Sequence, residues 1–308
     1  MLSLFCAPLQ GFTDAAFRIA HAKFSGGISA YYTPFLRLEK GKIRPKDLRD
    51  LEWDLQTKKD FPYHLIPQII AKDAFEFRSL VEQILPLGFS EIDLNAGCPF
   101  PMQTKSGRGA GLLLHPENFF EILDAMEEFP QVQFSIKMRL GENSESEIFE
   151  ILPRLNVSNL SQITLHPRLG IDEYHGEIRL DAFQRFYENC SRPMVLNGDI
   201  FTAEKIRECA EKFPKLKGVM LGRGLLRNPN LAREYAENFT GKTAETLFKM
   251  HAEIFAQYKM RYQGYVQILE KIRPFWAYAD LPKKMAKKIA KAKTLAEYEN
   301  CLIAIGEL

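Results

Sequence analysis

The stretch Ile92-Asp93-Leu94-Asn95-Ala96-Gly97-Cys98-Pro99 joins an apolar run of β type to a turn that carries a single thiol. Its first four residues predict a short buried strand, and Gly97 and Pro99 predict a turn directly after it. A glycine-rich segment follows at residues 106–111. A cysteine at the C-terminal end of a strand is well placed for chemistry, although an isolated thiol is usually a buried structural residue. The rest of the chain must separate these two interpretations.

Apolar runs of β type alternate with longer amphipathic runs through most of the chain. The β-type runs cover residues 4–7, 30–33, 65–70, 92–95, 134–138, 163–165, 194–196 and 219–221. Helical patterns cover residues 74–85, 116–128, 145–155 and 202–212, with Thr202 as a predicted N-cap. This alternation predicts an α/β fold, a (β/α)8 TIM barrel. A doubly wound open sheet is disfavoured because no Gly-x-Gly-x-x-Gly pattern follows the first strand.

The C-terminal part of the chain has a different pattern. No β-type run follows residue 243, and residues 246–262, 265–279, 283–293 and 295–305 all have helical patterns. We therefore predict a barrel domain over residues 1–239 and a small all-helical domain over residues 240–308. The second domain holds 12 Lys and Arg against 7 Asp and Glu, whereas the remainder holds 29 against 32. This asymmetry predicts a polyanionic partner for the helical domain.

Composition restricts the class of protein. The 308 residues have a net charge of +2 and are 46% hydrophobic, values typical of a globular protein. No apolar run is long enough to cross a bilayer, and the N-terminus lacks the basic segment of a signal peptide. The five cysteines are scattered, with no spacing that predicts a zinc site or a disulfide framework. We expect a cytoplasmic protein with no metal and no membrane partner.

The predicted strand ends carry polar side chains or glycine turns. In a (β/α)8 barrel these ends meet at one rim, where active sites lie. The candidates in chain order are Ala7, Pro8, Leu9, Gln68, Asn95, Cys98, Lys137, Arg139, His166, Asn197, Gly198, Asp199, Gly222 and Arg223. Their shared position predicts one site rather than several.

The chemistry of these candidates describes a site for flavin mononucleotide (FMN). The glycine turns let backbone N–H groups approach a phosphate, and Arg223 can pair with it. The Gln68 amide and the Lys137 ammonium suit the polar edge of the flavin ring, and His166 can donate to the cofactor or its phosphate. The alternatives are ordinary tight turns, a hydrogen-bonded loop amide, and an ion pair between Lys137 and a nearby carboxylate.

Several segments of the barrel form a recognisable series. They are APLQGFTDAAFR (7–18), LNAGCP (94–99), SGRGAGLLL (106–114), IKMRLG (136–141), LHPR (165–168), LNGDIF (196–201) and MLGRGLLRNPNL (220–231). In this order they resemble the tRNA-dihydrouridine synthases, and the helical tail corresponds to that family's tRNA-binding domain. Leu9 stands where the family usually has Met, a volume-conserving change. Pro167 also departs from the commoner pattern and removes a backbone donor.

The resemblance implies reduction of the C5=C6 bond of a tRNA uridine, with FMN as cofactor and NADPH as reductant. It implies hydride transfer from FMN to C6 and protonation of C5 by Cys98, which must be a thiol at that moment. It places Asn95 and Arg139 near the uridine and its RNA, and the other candidates against FMN. The compact tail resembles the branch that acts on position 16 of the D-loop, and the family suggests a monomer with no obligate protein partner.

Two surfaces offer contacts for RNA. In the tail, Lys284, Lys287, Lys288 and Lys291 lie on one helical face, which predicts phosphate contacts. The alternative is an ordinary solvated helix surface. Tyr31, Tyr32 and Phe35 follow the second strand and either stack on bases or pack in the core. Arg273, Phe275, Trp276 and Tyr278 offer the same choice in the tail.

Two other functions remain open at this point. One is a small-molecule flavoenzyme of the dihydropyrimidine or dihydroorotate dehydrogenase type, which the basic tail argues against. The other is a non-catalytic RNA-binding module that keeps the barrel as a scaffold and needs no flavin.

Overall fold

Parallel strands close into a barrel in the computed structural model, which describes residues 1–57 and 63–306. The strands are β1 (Ser3–Cys6), β2 (Ala30–Tyr32), β3 in two halves (Leu65–Ile66 and Gln68–Ile69), β4 (Glu91–Ala96), β5 (Gln133–Gly141), β6 (Leu160–Leu169), β7 (Met194–Asn197) and β8 (Gly218–Leu221). Each pairs in parallel with its neighbours, and β1 pairs with β8. The predicted (β/α)8 barrel is confirmed.

Strand β3 is where the barrel closes. Its first half pairs with β2 and its second half pairs with β4. The break falls at Pro67, whose nitrogen has no hydrogen to donate to a neighbouring strand. The Pro67 carbonyl still accepts from the Asp93 amide at 3.0 Å. The interruption therefore lets β3 change partner without opening the sheet.

The strands are buried on both faces. Phe5, Tyr32, Ile66, Val195 and Met220 form a cluster inside the barrel, while a much larger cluster lies between the strands and the surrounding helices. Strands of this kind have near-continuous apolar sequences. This explains why β-type runs of only three to six residues were sufficient to locate them.

Helices lie between the strands and after the last one. They are α1 (Ala15–Phe24), α2 (Pro45–Thr57), α3 (Ala74–Ile84), α4 (Pro101–Thr104), α5 (Pro116–Glu127), α6 (Ser146–Val157), α7 (Leu180–Asn189), α8 (Ala203–Lys212), α9 (Arg223–Arg227), α10 (Leu231–Glu237), α11 (Thr243–Arg261), α12 (Tyr265–Ile272), α13 (Lys283–Lys291) and α14 (Leu295–Gly306). Short 3₁₀ segments cover Leu85–Leu87, Gly109–Leu114 and Arg273–Ala277, and a small hairpin pairs Leu38–Glu39 with Lys42–Ile43. Among the described residues, no helix is both long enough and apolar enough to cross a membrane.

Local sequence signals explain several helix ends. Thr202 accepts a hydrogen bond from the Lys205 amide at 3.1 Å, so the predicted N-cap of α8 is confirmed. Residues 265–279, predicted as one helix, instead form α12 followed by a 3₁₀ segment. Pro274 explains the change because its ring removes a helical hydrogen bond.

The C-terminal helices pack directly on the barrel. The Tyr258 hydroxyl of α11 donates to the Asp14 carboxylate at 2.8 Å, and the Lys271 ammonium of α12 lies 3.2 Å from the same carboxylate. Asp14 is itself the N-cap of α1. Asp14 therefore joins α1 of the barrel to α11 and α12 of the C-terminal part, and the division at residue 240 stays a prediction.

Candidate active site

A cavity of about 780 Å³ opens at the C-terminal ends of the strands. Its wall includes these predicted site residues: Ala7, Pro8, Leu9, Asn95, Cys98, Lys137, Arg139, His166, Asn197, Gly198, Asp199, Gly222 and Arg223. The shared rim expected of the strand ends is therefore present. Gln68 and the lysines of α13 are not part of this wall.

The Cys98 turn is held by hydrogen bonds from both sides. The Asn95 side-chain oxygen accepts from the amides of Gly97 at 3.1 Å and Cys98 at 2.8 Å. On the other side, the Ala110 amide donates to the Cys98 carbonyl at 3.0 Å. Gly109 has a φ of +59°, and a Cβ there would lie 2.5 Å from the Cys98 carbonyl oxygen. Only glycine permits this approach, so the two glycine-containing segments pack on each other.

The environment of Cys98 favours the thiol. Burial raises its pKa, and this outweighs the opposing effects of a hydrogen bond from the Phe100 amide and the positive charges of Arg139 and Lys137. The group is therefore protonated at neutral pH, the state that a general acid needs. Cys6 and Cys209 are buried away from the cavity wall, and Cys190 and Cys301 are half-buried elsewhere.

Arg139 ties the Cys98 turn to the neighbouring strand ends. Its Nε donates to the Gly97 carbonyl at 3.0 Å, and its Nη1 donates to the Leu169 carbonyl at 2.6 Å. The side chain is almost fully buried, and its guanidinium lies 5.5 Å from the Tyr174 ring centroid. Arg139, which the resemblance places near the uridine, therefore also stabilises the Cys98 turn.

Arg139→Ala should lower the free energy of unfolding by about 2–4 kcal/mol, because two buried carbonyls lose their donors. Urea denaturation of the holoprotein measures this loss as a lower midpoint. Arg185→Ala is the matched control, since Arg185 makes a surface ion pair with Glu145 at 2.7 Å. We expect that change to cost less than about 1 kcal/mol. Equal losses in the two variants would contradict the role assigned to Arg139.

Lys137 lies on the cavity wall without a partner. Among the described residues, none lies within hydrogen-bond or ion-pair distance of its ammonium. Burial lowers its pKa to about 8; the charge of Arg139 adds to this effect, while Asp93 opposes it. The alternative of an ion pair with a carboxylate is therefore not found. An unpaired, desolvated ammonium is costly without a ligand.

Both polar atoms of the Gln68 amide form hydrogen bonds inside the barrel. Its Nε2 donates to the Asp93 carboxylate at 2.8 Å, and its Oε1 accepts from the Asn95 side chain at 2.7 Å. Burial raises the pKa of Asp93 to about 6, although hydrogen bonds from Ser135 and Gln68 oppose that shift. Gln68 thus positions Asn95, which in turn holds the Cys98 turn.

A compact charged cluster lies at the ends of β6, β7 and β8. The Asp199 carboxylate pairs with the guanidinium groups of both Arg168 and Arg223. Burial acts to raise the Asp199 pKa, but the hydrogen bonds and charges of the two arginines outweigh it and lower the pKa. Arg168 is buried behind the cavity wall and its Nε donates to the Gly176 carbonyl at 2.5 Å, whereas Arg223 lies on the wall and keeps guanidinium donors for an additional anion.

His166 is neutral in this cluster. Burial and four nearby cations hold its pKa well below the usual value. The Arg168 guanidinium lies 3.1 Å from Nε2, and since arginine only donates, Nε2 must accept and Nδ1 carries the proton. Gly198 has a φ of +125°, and a Cβ there would lie 2.7 Å from the His166 ring. The glycine is therefore required for the turn to pass this close.

Comparisons with known proteins identify the family of this chain. The family model described as dihydrouridine synthase matches residues 5–305. The chain belongs to the dihydrouridine synthase family. A probable tRNA-dihydrouridine synthase of Staphylococcus aureus is 27% identical, over 82% of this chain and 77% of its own. A tRNA-dihydrouridine(16) synthase of Pseudomonas syringae is 30% identical, over 75% of this chain and 73% of its own.

A further relative and a solved structure are also similar to this chain. A mouse protein named tRNA-dihydrouridine(20a/20b) synthase [NAD(P)+]-like is 31% identical, over 75% of this chain and 69% of its own. Among solved structures, morphinone reductase has a TM-score of 0.57 at 10% identity, over 77% of this chain and 86% of its own, which supports the barrel fold alone. Family membership confirms the resemblance drawn from the motifs and favours an enzyme over a scaffold module.

Three cations on the cavity wall were not among the predicted site residues. Arg37, Arg44 and Lys46 lie on the cavity wall, on or beside the hairpin after β2. Arg44 is paired with Asp47 at 2.6 Å. Partial burial and the neighbouring charges of Arg44 and Lys271 lower the pKa of Lys46. Residues 37–46 hold five Lys and Arg against one Glu, a local basic signal that the count of 29 against 32 over the whole N-terminal part conceals.

Most of the aromatic candidates pack in the core. The Tyr31 hydroxyl lies 2.7 Å from His21 Nδ1, and the Tyr32 hydroxyl accepts from Gln162 at 2.6 Å; both rings are buried. Tyr31 and Tyr32 lie within β2, and of the three candidates only Phe35 reaches the cavity wall. In the tail, the Trp276 indole donates to the buried Tyr298 hydroxyl at 3.0 Å, whereas Tyr278 lines the cavity.

The lysines of α13 face away from the protein. Lys284, Lys287, Lys288 and Lys291 are exposed, while Ile289 is buried beneath the helix. None of the four has an ion-pair partner among the residues that the structure describes. They are free to meet a polyanion. The described chain also contains no group of three or more His, Cys, Asp and Glu side chains that could hold a metal ion.

Proposed function

We propose that this chain reduces a D-loop uridine of tRNA to 5,6-dihydrouridine, with bound FMN as cofactor and NADPH as reductant. The observation that carries the proposal is the position of Cys98. A protonated thiol lies on the wall of a large cavity that also holds the Lys137 ammonium, unpaired among the described residues, and the guanidinium groups of Arg139 and Arg223. Family membership supports the same reaction.

The cavity residues fit FMN. The Lys137 ammonium has no partner within residues 1–57 and 63–306, as expected of a donor reserved for the electron-rich edge of a ring. Arg223 pairs with Asp199 through one nitrogen and retains donors for a phosphate, while the buried Arg168 holds the same carboxylate from behind the wall. We propose that Ala7, Pro8 and Leu9 contact the ring, and that His166, Asn197, Gly198, Asp199, Gly222 and Arg223 hold the remainder. Gln68 would reach the ring only by releasing Asp93 or Asn95.

The residues of the Cys98 turn would complete the reaction. When bound, FMN supplies hydride to C6 of the uracil ring. The Cys98 Sγ–H then gives its proton to C5, and the thiol is restored from solvent. Asn95 and Arg139 fix the turn that carries the thiol, and we propose that both also lie near the uridine. Since a base inside folded tRNA is out of reach, it must be turned out into the cavity.

The affinity for FMN should fall as pH rises above about 8, because Lys137 then loses its charge. With this lowered pKa the ammonium is about half charged near pH 8 and fully charged only well below it. Binding of an electron-rich group raises the pKa of Lys137, so the charge then persists to higher pH. Quenching of FMN fluorescence by the apoprotein, titrated between about pH 6 and pH 10, measures the effect. Lys137→Met should bind FMN more weakly, with a flatter profile.

Lys217→Met is the matched control for this titration. Lys217 precedes β8 at the opposite end of the barrel and is not part of the cavity wall. That variant should keep the wild-type profile. A Lys137→Met protein with wild-type affinity at every pH would remove Lys137 from the proposed site.

The proposed function also includes the position of the target uridine, the cellular location of the enzyme and its oligomeric state. We propose position 16 of the D-loop, the position in the name of the Pseudomonas syringae relative; the mouse relative is named for 20a and 20b. Because the substrate is tRNA, we also propose a cytoplasmic monomer with no obligate protein partner. RNA contacts are proposed for Lys284, Lys287, Lys288 and Lys291, together with the newly located Arg37 and Lys46.

Mapping of dihydrouridine in tRNA from cells that lack this protein tests the function. The proposal expects one D-loop position to lose the modification, wild-type protein to restore it, and Cys98→Ala to leave it absent. Unchanged dihydrouridine in the deletion strain, with no related enzyme present, would refute the proposed function.

A further inference from the structure

Two large apolar side chains are exposed at the mouth of the cavity. Phe100 is 58% exposed and Met102 is 64% exposed, and both lie on the cavity wall. Phe100 follows Cys98 by only two residues. Single exposed apolar residues are ordinary, but a pair on one side of a reaction cavity marks a surface that another molecule covers.

The backbone presents Phe100 rigidly. Pro99 and Pro101 flank it, and Phe100 has an extended conformation, with φ of −65° and ψ of 124°, as expected before a proline. Its carbonyl accepts from the Gln103 amide at 2.7 Å and the Thr104 amide at 3.1 Å. Little chain entropy is therefore lost when a partner binds this ring.

The same cavity mouth also carries positive charge. Arg37 and Lys46 lie on its wall, and neither forms an ion pair among the residues that the structure describes. A surface that combines an exposed ring with unpaired cations fits a nucleic acid strand, whose bases stack on the ring while its phosphates meet the cations. A purely apolar partner would leave these cations buried and unpaired.

We propose that Phe100, supported by Met102, is a wedge that stacks on a base next to the reacting uridine and takes the stacking position that the uridine leaves. This inference rests on the proposed function. An extruded base loses its stacking partners, and apolar side chains inserted at base steps replace such partners in other nucleic-acid complexes. Phe100 is thus a positioning residue for the uridine that Cys98 protonates.

Phe100→Ala should lower kcat/KM for folded tRNA about tenfold to a hundredfold, the usual range for loss of one base–aromatic stack. For an unstructured oligoribonucleotide of the same D-loop sequence, the loss should be at least tenfold smaller, because that uridine has few stacking partners to replace. Phe100→Trp should restore most of the activity on tRNA. Phe75→Ala is the control, since Phe75 is exposed on α3 away from the cavity and should affect neither substrate.

A second readout does not depend on turnover. In tRNA with 2-aminopurine next to the target uridine, binding of wild-type protein should change the fluorescence, and Phe100→Ala should leave it near that of free tRNA. Equal losses on both RNA substrates, with unaltered fluorescence changes, would overturn the wedge while leaving the proposed function intact. If Phe100→Ala changes the oligomeric state and leaves the tRNA kinetics normal, Phe100 and Met102 belong to a protein–protein contact. That result would also overturn the wedge. Absence of dihydrouridine with either substrate would count against the proposed function, and the fluorescence would still test the wedge.

Discussion

Cys98→Ala is expected to lower tRNA turnover by about two to four orders of magnitude, the range in which a general acid contributes to catalysis. The change removes the proton donor while leaving the hydrogen bonds of the turn intact, because Asn95 binds backbone amides and Ala110 binds a backbone carbonyl. FMN binding and its reduction by NADPH should be retained. Single-turnover reaction of the reduced enzyme with tRNA isolates the affected step.

Cys301→Ala is the control for this prediction. Cys301 is half-buried in α14 and is not part of the cavity wall. It should retain wild-type turnover. Because burial raises the pKa of Cys98 above its usual value, wild-type turnover should persist through neutral pH and fall only under alkaline conditions. A Cys98→Ala variant with turnover near that of the wild type would exclude Cys98 as the proton donor.

Replacement of Lys284, Lys287, Lys288 and Lys291 by glutamine should weaken tRNA binding on the order of a hundredfold at low salt. The four exposed ammonium groups share one face of α13. Each phosphate contact releases condensed counterions, so the slope of log affinity against log salt should become shallower by about three units. Filter binding of unmodified tRNA over a range of salt concentrations measures both quantities.

A variant with the same charge change separates this effect from net charge. Arg192, Lys212, Lys215 and Lys217 lie before β7 and β8, at the end of the barrel opposite the cavity. Their replacement by glutamine removes four positive charges and should leave the salt slope close to that of the wild type. If both variants lose the same slope, the α13 face is a solvated surface and the tRNA contacts lie elsewhere.

The sequence was sufficient to predict the barrel and most of its rim. Strands buried on both faces have simple apolar sequences, and barrel closure turns their order along the chain into a ring of neighbours. Residues as distant as Leu9, Cys98 and Arg223 therefore meet on one cavity wall. Thr202 was predictable for a local reason, since an N-cap depends on the residues beside it.

Features that depend on long-range packing were not predictable. Lys137 was open to two interpretations until the structure showed that no carboxylate of the described residues reaches it, whereas the Gln68 amide is occupied by Asp93 and Asn95. Arg37 and Lys46 lie on the cavity wall on either side of the hairpin after β2, whose own residues are not part of that wall. Such contacts join segments far apart in sequence, so periodicity and spacing carry no trace of them.

A reaction in solution with purified components tests whether this chain reduces a tRNA uridine with Cys98 as the proton donor. Protein loaded with FMN, NADPH and unmodified tRNA are combined, and the tRNA is digested and analysed by mass spectrometry. We expect one D-loop uridine to gain two hydrogens with the wild-type protein and to remain unchanged with Cys98→Ala, although the flavin is reduced in both. An unmodified uridine with the wild-type protein, under conditions where the flavin is reduced and tRNA is bound, would contradict the proposed function.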